Sequence, residues 1–171
     1  MKKLSWPIKV FFITFILAAI FSAVSNLLAD LNIIMLIIAL IFVILIGIVF
    51  DMIGVAALTS KKENFHAMAS KKIKGAKEAI NLINKSTMVA TICNDVVGDI
   101  CGIVSGALGA ILSIYIATNS TLSVVISAIL VTAFISGFTV GGKAYGKAIA
   151  TNNADKIVFY TAKIKKVLTF K

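Results

Sequence analysis

The chain has 171 residues, 60% hydrophobic and only 14% charged, a balance too apolar for a water-soluble domain with one core. Its net charge of +10 comes from 17 basic residues, all lysine, against seven acids. The lysines lie outside the apolar runs in three clusters, which fits cytosolic loops beside anionic lipid headgroups and argues against nucleic acid as a partner. The composition predicts an all-α membrane protein of about four transmembrane helices plus amphipathic cytosolic juxtamembrane helices.

In chain order, residues 1–30 read as an N-terminal transmembrane anchor. Its apolar run from Ile8 to Leu28 follows Lys2, Lys3 and Lys9, and it is long for a signal peptide, the other reading of such a start. Residues 31–150 form the membrane domain. A second segment, about Leu31 to Leu58, follows the short connection Ala29-Asp30-Leu31-Asn32, and so brief a link predicts an antiparallel hairpin. Residues 59–85 change character: seven Lys and two Glu are interleaved with Phe65, Met68, Ile73, Ala76, Ile80 and Ile83. That three- to four-residue spacing predicts an amphipathic helix or helix pair along the membrane surface.

Third and fourth segments, about Thr87 to Ala117 and Leu122 to Gly141, are joined by the lysine-free Thr118-Asn119-Ser120-Thr121. The positive-inside rule then places both termini and the lysine-rich loop in the cytosol of a multi-pass plasma-membrane protein, with Asp30 and Asn119 outside. Residues 151–171 predict a basic amphipathic helix with Ile157, Tyr160, Ile164, Val167 and Leu168 on one stripe, suited to anionic headgroups or, second, to a dimer contact.

Three acids fall in apolar segments: Asp51, Asp95 and Asp99. A charge near the bilayer centre costs from about 3 to over 10 kcal/mol, so each is expected to face the bundle interior with a partner. Asp95 and Asp99, four apart, share a helix face that continues through Gly102 and Gly106; with Gly98 these glycines make a ridge on which a neighbouring backbone can approach. Asp95, Asp99, Asn94 and Asp51 together offer an all-oxygen donor set suited to a hard cation such as Mg²⁺, while pairing with a lysine is the structural alternative. Cys93 and Cys101 read as small packed thiols, and His66 as a surface residue. No phosphate loop, nucleophile elbow or paired-cysteine motif occurs, so an enzyme is not expected.

Gly54-Val55-Ala56-Ala57-Leu58-Thr59-Ser60 before the lysine-rich helix, Ala90-Thr91-Ile92-Cys93-Asn94-Asp95-Val96-Val97, and Gly142-Lys143-Ala144-Tyr145-Gly146-Lys147 occur in this order. In order and separation they resemble the Ser-Glu-Thr-Ala-Leu-x-Ser, Thr-x-Leu-x-Gly-Asn-Asn and Gly-Glu-x-x-Pro-Lys stretches of the CNNM and CorB/CorC magnesium-transport family, the former domain of unknown function 21. The resemblance covers residues 34 to 168. It implies a homodimeric membrane domain that binds or transports Mg²⁺ near Asn94, Asp95, Gly142 and Lys147. The family's acids are Val55 and Lys143 here, its proline is Gly146, and its CBS domains are not seen. An ammonium at Lys143 would repel a cation and could pair with Asp95 or Asp99. Two functions follow as expectations: a divalent-cation transporter, or a non-transporting CNNM-like membrane adaptor.

Overall fold

The computed structural model describes residues 5–27 and 32–169, with side chains over 7–23 and 32–167. Among these residues all regular structure is helical: α1 (Ser5–Leu27), α2 (Ile33–Thr59), α3 (Lys62–Ser70), α4 (Ala76–Asn84), α5 (Ser86–Ala90), a π-helix (Thr91–Val97), α6 (Gly98–Asn119), α7 (Val124–Asn152) and α8 (Ala154–Thr169). Three stretches are long and apolar enough to cross a membrane: Ile33–Thr59, Ser86–Asn119 and Val124–Asn152. The apolar helix Pro7–Ala23 is shorter than these, so the expected fourth span is not established. Connection residues 28–31, with Asp30, lie outside the described residues.

Two boundaries differ from expectation. The fourth segment does not stop at Gly141; α7 runs on to Asn152. Gly146 stands where the resembling family has proline, so nothing here removes a backbone donor and the helix continues. The third segment is not a uniform α-helix, because a seven-residue π-helix separates α5 from α6.

The chain divides into two compact units, residues 1–47 with 96–142 and residues 48–95 with 143–171. In the first, Leu36 and Leu40 of α2 are buried with Val96, Ile100, Val104 and Leu108, and Val10, Leu17 and Ala18 of α1 pack against them. Leu36 and Leu40 form one side of α2, while Ile34, Ile38, Ile41, Phe42 and Leu45 on the others are exposed. Phe134 and Phe138 of α7 are exposed as well. Such an outward apolar surface suits lipid as solvent.

In the second unit the lysine-rich segment folds as the pair α3 and α4, packed on each other and, through α4, on α8. Phe65, Ala79, Leu82 and Ile83 share a core with Ala56 of α2, Ala150 of α7, and Ala154, Val158 and Ala162 of α8. The apolar positions of 59–85 turn largely into this core: Phe65, Ala76 and Ile83 are buried in protein, Met68 and Ile80 pack against that core, and Ile73 is exposed. Gly75 makes the turn into α4 with φ 101°, a left-handed backbone for which glycine carries no steric penalty. Asp155 of α8 accepts hydrogen bonds from the Lys61 backbone N–H (3.3 Å) and from Asn64 Nδ2, fastening α8 to the start of α3. Lys166 and Glu78 pair at 3.1 Å.

Candidate functional site

Asp51 is 4% exposed. On α2 the buried residues Gly47, Asp51 and Gly54 recur at four- and three-residue spacing, so helical periodicity turns this acid inward among apolar neighbours. Its partner is Lys147 of α7, whose Nζ lies 3.7 Å from Asp51 Oδ2. The pair is asymmetric, since the carboxylate is enclosed while the lysine side chain is 53% exposed. Such an arrangement lets the alkyl stem pack and the ammonium reach water. Gly146, next in sequence, is what permits the approach: a Cβ there would lie 2.8 Å from Met52 Cγ and 3.2 Å from Ile48 Cγ2. A small residue at the contact lets the two helices come close.

One turn beyond Asp51, Gly54 receives the Asn94 amide, and a Cβ at Gly54 would overlap Asn94 Oδ1. Asn94 lies in the π-helix, a wider turn that recurs at functional positions. Its Oδ1 is buried and, like Asp51 Oδ2, has no hydrogen-bond partner among the described residues. An orphaned buried acceptor is costly, by about 1–3 kcal/mol, which marks the pair as a place where a donor or cation fits.

Of the four residues expected to hold a cation, the fold sets Asn94 of the π-helix against Gly54, one turn along α2 from Asp51. Asp95 and Asp99 are exposed on their helix, and no ion pair to either is found among the described residues, against the expectation that they face the bundle interior. Lys143 makes no ion pair with them; the lysine that neutralises an acid is Lys147, one turn further on. The difference arises because the inward stripes of α2 and α7 meet through Asp51 and Gly146, whereas the Asp95 and Asp99 side of its helix is left uncovered within one chain. Among the described residues no group of three or more His, Cys, Asp or Glu is placed to hold a metal. One carboxylate and one amide oxygen still suit Mg²⁺, which keeps several waters and takes only one or two carboxylates.

The glycine ridge also divides. Gly98 is buried, while Gly102 and Gly106 have nothing within 4 Å of an added Cβ. Tight packing falls instead at Gly109, where a Cβ would collide with Ile135 Cδ1. Cys93 is buried, Cys101 is partly buried beside Gly47, and neither forms a disulfide. His66 is exposed on α3.

Sequence reasoning missed the role of Lys147. With the fourth segment read as ending at Gly141, Lys147 stands outside the apolar run; only the continuation of α7 to Asn152 puts it five residues before a helix end, as Asp51 is eight before the end of α2. Two oppositely charged residues at similar depth from helix ends on the same side are natural partners. No protein-family model, curated protein or solved structure matches the chain.

Proposed function

We propose that the protein is a multi-pass plasma-membrane protein with its termini and lysine-rich layer in the cytosol, which binds and transports a divalent cation, Mg²⁺ first. The cation would sit at Asp51 and Asn94. The observation that carries this reading is the pair of buried oxygen acceptors without a hydrogen bond, Asp51 Oδ2, whose only partner among the described residues is the Lys147 ammonium at 3.7 Å, and Asn94 Oδ1, set against Gly54 one turn along α2. In this reading Lys147 is the resident counter-charge: its half-exposed ammonium swings to water when the cation arrives and returns when it leaves. Site charge then stays near balance, and neither state leaves a bare carboxylate in an apolar setting. The resemblance to the CNNM and CorB/CorC family points the same way. A homodimer belongs to the same proposal, because a second copy over the exposed Asp95, Asp99, Gly102 and Gly106 side would keep these carboxylates from lipid.

The second reading, a non-transporting membrane adaptor, is favoured by the Asp51–Lys147 ion pair itself, which already satisfies the charge without any metal. Flux of Mg²⁺ and Mn²⁺ into liposomes carrying the purified protein separates the two. Saturable uptake that disappears in Asp51→Asn supports transport. Binding alone predicts a melting shift equivalent to about 2.7 kcal/mol at a ligand concentration of 100 times Kd. No flux and no Mg²⁺-dependent shift, in the parent or in Lys147→Met, would leave the adaptor.

A further inference from the structure

The apolar residues of α8 fall on two sides of the helix. Ala154, Val158 and Ala162 are buried against α3, α4 and the ends of α2 and α7. Tyr160, Ile164 and Val167 are 64%, 61% and 73% exposed. These three belong to the stripe expected to be the helix's single apolar face, while Leu168 lies outside the described side chains. At 100° per residue they point away from Val158, and Lys156 and Lys163, both exposed, project between them and the buried side. The core side is therefore complete without them, and an aromatic-aliphatic strip edged by ammonium groups is left open.

We propose that this outward face of α8 docks on an anionic lipid surface, with Ile164 and Val167 entering the acyl boundary, Tyr160 at headgroup level, and Lys156 and Lys163 on lipid phosphates. Three observations carry it. First, α8 follows α7, a helix long and apolar enough to cross a membrane, with only Asn153 between them, so it is tethered near the bilayer and docks without loss of translational freedom. Second, Ala154 and Val158 share a core with Ala56 and Ala150 near the ends of α2 and α7, which fixes the first turns of α8 beside the ends of both helices. Third, the charge is complementary to anionic headgroups. A second copy on this face would instead bring lysines against lysines in a chain of net charge +10. The site is separate from Asp51 and Asn94, so this inference stands or falls apart from cation binding.

The test uses the full chain with Cys93 and Cys101 replaced by alanine, and a cysteine at Ile164 or, in a second variant, at Tyr160, carrying the environment-sensitive fluorophore NBD. The protein is reconstituted in phosphatidylcholine vesicles with and without phosphatidylglycerol, and in matched vesicles containing acyl-chain spin-labelled lipid. Docking predicts blue-shifted NBD emission in the anionic vesicles, quenched by the spin-labelled lipid. Each of Lys156→Gln and Lys163→Gln should reduce the docked-to-free ratio about fivefold. Water-like emission in anionic vesicles at both positions overturns the proposal, and so does blue-shifted emission that lipid quenchers do not reach, which would mean that protein covers the face.

Discussion

Removing the Lys147 ammonium tests the buried ion pair most directly. At 3.7 Å two unit charges attract by about 1 kcal/mol in bulk water and about 4 kcal/mol at an effective dielectric of 20. Asp51 is enclosed, but the lysine side chain is 53% exposed, so the coupling should fall between these limits, near 2 kcal/mol once screening by solvent is allowed for. Lys147→Met keeps the stem and deletes the charge; because it strands a buried carboxylate, the loss should exceed the coupling and reach about 3 kcal/mol. For a chain of this size that lowers Tm by about 6–12 °C. Asp51→Asn in the same background should restore most of it, since the remaining amide needs no counter-charge. The assay is thermal unfolding of the four proteins of the cycle in one detergent without divalent cations. A coupling below about 0.5 kcal/mol, the level at which independent sites add, would refute the ion pair as a determinant of this site. Repeating the melts with Mg²⁺ adds the functional arm: the cation should raise the Tm of Lys147→Met more than that of the parent, because its competitor for Asp51 is gone.

Gly109→Leu should destabilise the fold by at least about 1–3 kcal/mol through overpacking against Ile135 and Val131, whereas Gly102→Leu, with open space around it, should leave melting of the single chain unchanged and abolish the proposed dimer, measured by light scattering in detergent; a chain destabilised by Gly102→Leu, a parent that is monomeric, or a dimer unaffected by the substitution would contradict this assignment. The Glu78 carboxyl is held below the ordinary glutamate value of 4.5, first by a backbone hydrogen bond at its own position and then by Lys166. A lowered folded-state value contributes stability that is fully present above about pH 4.5 and is lost as pH falls below it, so Glu78→Gln should flatten that acid limb of the Tm profile, and an unchanged limb would show that Lys166 and Glu78 are not coupled.

Helical class, three long apolar stretches and the amphipathic character of 59–85 and of the C-terminal helix are all legible in the sequence, because they depend on composition and on a period near 3.6, both local properties. An acid at position 51 in an apolar run is equally plain, as is its need for a partner. Which partner it takes is not local. Lys143 and Lys147 are one turn apart and equally basic, and only the close approach of α7 to α2 at Gly146 decides for Lys147. The same holds for Asn94, whose amide reaches Gly54 from a π-helix that no periodicity announced, and for α8, where both stripes are apolar enough to be core. Periodicity says that a face is apolar; whether protein or lipid covers it is decided by the elements that the chain folds against it. For Ala154, Val158 and Ala162 that cover is α3 and α4, brought there by the turn at Gly75 and the Asp155 contacts, which leaves Tyr160, Ile164 and Val167 for another surface.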